Sequence, residues 1–160
     1  MEEIYNVMSK KDRRTILNKL VAFVRNVDIK YVSFAVKKKH LDGSVDIIAR
    51  ISKQIASFIR DHYDELLPYD VIKVYYDNGQ IEVTKMLASV FGALLPQVEF
   101  KKVLPVDYKL FQVADLICTM RLITLKLEHK GLSKSEIEFF GNHKNLKKNH
   151  LQRIESKKWE

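Results

Sequence analysis

The chain has 160 residues, 46% of them apolar and 30% charged, with a formal net charge of +8 and five glycines and three prolines in all. That length suits one ordinary domain with a real core, and the scarcity of glycine and proline leaves no room for long flexible linkers. A single cysteine, Cys118, excludes an intramolecular disulfide framework and a cysteine-based zinc cluster. The greasiest region is interrupted by Gln112, Asp115 and Arg121, so no apolar run reaches membrane-spanning length.

The opening residues Met1-Glu2-Glu3-Ile4-Tyr5-Asn6 have neither the basic start nor the apolar centre of a secretory signal. Together with the lone cysteine, this predicts a cytoplasmic protein with no membrane partner. The positive charge is unevenly placed. Lys10, Lys11, Arg13, Arg14, Lys19 and Arg25 are opposed by Asp12 alone, and Lys144, Lys147, Lys148, Arg153, Lys157 and Lys158 by Glu155 and Glu160. Such clusters favour polyanions, nucleic acid above all, and they equally describe a solvated helix face with a soluble tail.

In chain order, Ser9 with Asp12 resembles a capping box, and Ile16, Leu17, Leu20, Val21 and Val24 follow at helical spacing. These predict a helix over 10–26. The stretch 29–36, rich in Tyr, Val, Phe and Ile, reads as a strand ending at Lys37-Lys38-Lys39. Asp42-Gly43-Ser44 then turns into a long helix whose stripe runs from Ile48 through Ile55 and Ile59 to Leu66, with Pro68 as its stop. The run 71–76 is a second strand, apolar on both faces except at Lys73, as a strand sandwiched between helices would be. A helix carrying Val83, Met86, Leu87, Val90, Phe91 and Leu94 ends at Pro96, and 98–103 is a third strand. A helix over 111–128 is closed by Lys130-Gly131, and Ser133-Lys134-Ser135-Glu136 starts a short helix reaching Phe140. All of 1–160 reads as one domain, with a core over 9–140 and a basic, partly helical tail over 142–160. Strands alternating with helices predict an α/β fold, although three strands are few for a sheet covered on both faces.

Two acids stand out. Asp115 lies among Phe111, Cys118 and Leu122 on one side of its helix, while Val113, Leu116, Ile117, Met120, Thr124 and Leu127 form the opposite face. The sequence therefore embeds it in apolar surroundings, where an unpaired carboxylate costs on the order of several kcal/mol. Otherwise it is a helix-start acid favoured by the dipole and paired with Lys109 or Arg121. Asp77 closes the second strand just ahead of Asn78-Gly79-Gln80. Asp-Asn-Gly is ordinary turn and capping chemistry, yet ligands of open α/β sheets bind beyond the carboxyl ends of strands, where Asp77 falls. Two such acids are the material of a hard-cation site. Asn78, Gln112 and Glu82 are possible supporting groups; each also has a plain reading as a turn, helix-start or first-turn residue. The five histidines are scattered without ligand spacing, which disfavours zinc. There is no glycine-rich phosphate loop and no nucleophile elbow, and Cys118 reads as inert packing.

Tyr75-Tyr76-Asp77-Asn78-Gly79-Gln80 followed by Leu110-Phe111-Gln112-Val113-Ala114-Asp115-Leu116-Ile117 resembles the two C-terminal motifs of a widespread bacterial family. That family is catalogued as domain of unknown function thirty-eight hundred and regarded as similar to the RNase H-like nucleases. The resemblance covers the chain from its first helix to about Phe140, and Gln-Val-Ala-Asp-Leu is its most specific part. It implies a mixed sheet flanked by helices, with Asp77 and Asp115 as catalytic acids. They would hold Mg²⁺ or Mn²⁺, which activate water and stabilise the leaving oxygen in phosphodiester cleavage. Members begin with a strand carrying Ile-Asp-Glu-Ser-Gly, which this sequence lacks, so the N-terminal strands of that fold are expected to be missing. The resulting expectation is a metal-dependent nuclease, inactive if shortened, or else a non-catalytic nucleic-acid-binding or protein-interaction remnant. An open sheet edge would favour a homodimer or a partner that supplies the absent strands.

Overall fold

A computed structural model of the chain describes residues 9–37, 43–77, 81–129 and 131–159. It is a mixed α/β structure, mostly helical, with a two-stranded parallel sheet among the described residues. The chain gathers into two compact units: residues 34–108 form one, and the segments before and after them form the other.

The outer segments are helical. Helix α1 (Lys10–Asn26) starts at Ser9, whose hydroxyl accepts from the Asp12 backbone N–H at 3.2 Å. Ser9 Oγ also donates to the Asp12 carboxylate at 2.6 Å, a side-chain pairing that differs from the reciprocal backbone bond of a full capping box. Near the other end of the chain lie α5 (Lys109–His129), α6 (Lys134–Phe140), α7 (His143–Leu146), a π-helical turn at Lys147–Leu151 and α8 (Gln152–Glu155). Val21 and Val24 of α1 pack with Val113, Leu116, Ile117 and Met120 of α5 and with Ile154 of α8. The residues read as a basic tail therefore help to build this core, and Leu146 within them is 0% exposed.

Side chains tie these helices at their ends. Lys10 pairs with Glu138, and Lys157 Nζ donates to the Val27 carbonyl at 2.7 Å. Gly131 has φ +76 and its N–H caps the Lys126 carbonyl at 2.7 Å, the left-handed close of α5 that glycine permits. Helix α6 has a full capping box between Ser133 and Glu136. Glu136 also receives the Lys126 ammonium at 2.5 Å, and that bond, with those from Ser133, lowers its pKa to about 2 from 4.5. A carboxylate with a depressed folded pKa stabilises the fold fully above its unfolded value. That contribution is lost as pH falls from 4.5 toward about 2. Urea melts between pH 6 and pH 3 (on the order of the carboxylate titration range) should show a steeper acid loss for the parent than for Glu136→Gln.

In the central unit, α2 (Ser44–Asp61) and α4 (Ile81–Leu94) pack around Ile55, Ile59, Met86 and Leu95. The long helix expected to run to Leu66 stops at Asp61. His62 takes φ −113 and ψ 21, its N–H bonds to the Phe58 carbonyl, and a separate turn, α3 (Tyr63–Leu66), follows. Strands β1 (Ile72–Tyr76) and β2 (Val98–Lys102) run parallel in the register Ile72↔Val98 to Tyr76↔Lys102, with α4 between them in sequence. Ile72 and Val98 face the α2–α4 core, whereas Tyr75, 41% exposed, lies on the open face. Among the described residues β1 is thus covered on one side rather than sandwiched.

The strand expected over 29–36 does not form among the described residues. Tyr31 alone makes a parallel bridge, to Lys158, with its N–H on the Lys157 carbonyl at 2.9 Å and its carbonyl accepting from Trp159 at 2.8 Å. Ile29 and Tyr31 pack on the α1–α5 core while Phe34 packs in the α2–α4 core. The β-favouring residues of this stretch are used to fill two cores and not to extend one ladder. The described sheet is accordingly purely parallel and not mixed. Lys38, Lys39, His40 and Asp42 lie outside the described residues.

Candidate functional site

Asp77 follows β1 directly and is exposed. The ladder continues just beside it, where the Val103 N–H donates to the Tyr76 carbonyl at 3.0 Å. Asp77 therefore stands at the carboxyl end of a strand in a parallel pair, the usual place for a ligand-facing residue in such sheets. Glu82, in the first turn of α4, is also exposed. Asn78, with Gly79 and Gln80, lies outside the described residues. On the open face of the sheet, Tyr75 and Tyr108 have ring centroids 5.4 Å apart, tilted by 43°. In the register, Lys73 is opposite Glu99 and Tyr75 opposite Lys101, so aromatic and charged side chains share that face.

Asp115 belongs to the other unit. It is exposed on α5, and its surroundings are not those expected from the sequence. The buried face of α5 is Val113, Leu116, Ile117, Met120 and Ile123. On the opposite face, Leu122 is 52% exposed and Cys118 is exposed as well, so the acid stands on a wet, partly apolar surface and is not embedded. Its charge is felt locally: desolvation first, and then Asp115, push the Cys118 thiol up from 9.0. That keeps Cys118 protonated at neutral pH, an unreactive thiol even though it is exposed. Gln112, one turn before Asp115, is half-buried.

Both carboxylates are open to solvent and supply the hard oxygens that Mg²⁺ or Mn²⁺ prefers. Their number is short: among the described residues, no three His, Cys, Asp or Glu side chains gather as a cation-binding group. Asp77 and Asp115 also belong to different units, so no cleavage step is assigned to them.

A second feature had no signal in the motif reading. Within the helical unit, α1, the end of α6 and the C-terminal turns enclose a cleft of about 400 Å³. Arg14, Asn18, Asn145, Asn149, His150 and Arg153 provide its polar lining, and Phe139 with Phe140 forms an aromatic wall. Asn18 and His150 meet at 3.2 Å between Oδ1 and Nε2. That contact makes Nε2 the protonated nitrogen, with Nδ1 buried and unpaired among the described residues. Burial first, then the Arg153 charge, lower the His150 pKa from 6.5 and keep the ring neutral. The four-residue spacings Arg14–Asn18 and Asn145–Asn149 each place two polar groups on one helical face, a pattern visible in the sequence.

No family model, curated protein or solved structure matches this chain. No helix among the described residues is long and apolar enough to cross a membrane.

Proposed function

We propose that this chain is a nucleic-acid-binding protein of RNase H-like type, related to the family its motifs resemble, in which Asp77 is a divalent-cation ligand for phosphodiester hydrolysis and Asp115, in the other unit, is a second candidate ligand. The observation that carries the reading is the exposed Asp77 at the carboxyl end of β1, in a parallel β-α-β arrangement. A parallel β-α-β unit is common to many α/β folds and is also what the second half of an RNase H-like sheet would contain. Among the described residues, β1 has β2 on one side and an open edge on the other, where a further acid-bearing strand could be added from a partner or a second copy. Mg²⁺ or Mn²⁺ would supply charge neutralisation at the phosphate; the basic residues of α1 and of the C-terminal turns would hold the backbone.

A non-catalytic reading draws support from the open face of the sheet. Tyr75, Tyr108 and Lys101 suit stacking and phosphate contact with single-stranded nucleic acid. Fluorescence anisotropy with a labelled single-stranded oligonucleotide separates the two. Hydrolase ancestry predicts that Mn²⁺ tightens binding by the parent and has no such effect on Asp77→Asn or Asp115→Asn. Binding that falls steeply with salt and ignores Mn²⁺ would favour the non-catalytic reading, and no binding at all would sink both.

A further inference from the structure

We propose that the cleft between α1 and the C-terminal turns is a nucleotide site, taking a phosphate monoester that carries a flat heterocycle. The proposal stands on the helical unit alone and does not depend on the cation-binding role of Asp77 or Asp115.

The lining is one-signed. Arg14 and Arg153 are its charged members, and among the described residues no carboxylate lines it, Glu138 feeling the Arg14 charge from outside the lining. An arginine pair with nothing of opposite sign in the same cleft is an anion site by charge, and the planar guanidinium fork suits phosphate. The two arginines differ in freedom. Arg14 is held by its Nε on the Phe139 carbonyl at 2.7 Å and by Nη2 on the Glu138 carbonyl, and its guanidinium lies 5.9 Å from the Phe139 ring centroid. It is thus preorganised, with Nη1 left over. Arg153 has no ion pair among the described residues, and the side-chain amides of Asn145 and Asn149 are likewise not engaged there. Unspent donors from two successive helical turns converge on one space.

Size and shape select among anions. A volume of about 400 Å³ is far more than a bare phosphate fills and lies within the range of small-molecule sites. The apolar wall is aromatic: Phe139 and Phe140 meet edge-on at 4.9 Å, backed by Leu17 and Val21. A flat ring lies well against such a wall, and the Asn18 amide beside it can read a heterocycle edge. Gly141, at φ +80, takes a backbone conformation that glycine permits, and a Cβ there would meet nothing within 4 Å, so the chain at the cleft wall faces open space.

Such a ligand could be a free nucleotide or the terminal nucleotide of a strand. Calorimetric titration of the full chain with adenosine monophosphate, adenosine, and an oligonucleotide with and without a 5′-phosphate distinguishes them. One equivalent of adenosine monophosphate should bind, with adenosine weaker by about tenfold or more. Arg153→Gln should lose binding by a similar factor, and Asn149→Leu should weaken it. Lys53→Gln, which removes the same charge from outside the lining, should leave binding unchanged. Tighter binding of the 5′-phosphorylated oligonucleotide, with the same dependence on Arg153, would identify the ligand as a strand end. Equal or tighter binding of the mononucleotide would identify it as free. Absence of nucleotide binding, equal affinity for nucleoside and nucleotide, or equal losses in Arg153→Gln and Lys53→Gln would overturn the proposal.

Discussion

Ile59→Ala should destabilise the α2–α4 unit by about 2–5 kcal/mol, the range for truncating a buried aliphatic side chain. Ile59 is 1% exposed and shares its core with Ile55, Met86 and Leu95. Partly buried Phe34, Phe58, Leu66 and Phe91 surround that cluster, and Ile72 of β1 and Val98 of β2 pack against it. Rigid neighbours of this kind collapse poorly into a cavity, so the cost should fall in the upper part of that range. Against a total stability of about 5–15 kcal/mol, the change is large enough to read directly as a shift in urea midpoint. Ile59→Val, which removes one methylene, should cost about 0.5–1.5 kcal/mol. A midpoint unchanged by Ile59→Ala would show that α2 and α4 do not pack as described.

Val24→Asp should be more damaging still. Val24 is 0% exposed and sits where α1 meets α5 and α8, among Val113, Leu116, Met120 and Ile154. A carboxylate there would stand among apolar side chains, and an uncompensated buried charge costs on the order of several kcal/mol. Protonation offsets part of this, so the variant should be least stable at neutral pH and recover somewhat as the acid is neutralised. Val24→Thr, nearly isosteric, should cost only about 1–3 kcal/mol for its buried hydroxyl. Amide hydrogen exchange along α1 and α5 measures both. Protection in Val24→Asp equal to the parent's would contradict the assigned core.

Periodicity made most helices legible. The Ser9 and Ser133 caps, the Gly131 close and the Pro96 stop all mark real boundaries, because each acts through local backbone hydrogen bonds. Composition misled where tertiary demand decided the outcome. The residues around Tyr31 have strand propensity, but their side chains go to two different cores, and the backbone finds one bridge to Lys158. Likewise, apolar neighbours made Asp115 look buried. In the fold the opposite face of α5 does the packing, and Cys118 and Leu122 remain at the surface beside it. The C-terminal segment read as basic because its lysines dominate, yet Leu146, Leu151 and Ile154 recur at near-helical spacing and pack inward. The cleft they help to form depends on contacts between α1 and residues more than a hundred positions away, such as Asn18 with His150. No local pattern encodes a pairing at that separation.

The carboxylate assignment is tested most directly by calorimetric titration with Mn²⁺ of the parent chain, Asp77→Asn and Asp115→Asn, with circular dichroism establishing that each remains folded. The account predicts weak binding by the parent and its reduction in each variant. Parent-like Mn²⁺ affinity in both variants would contradict it.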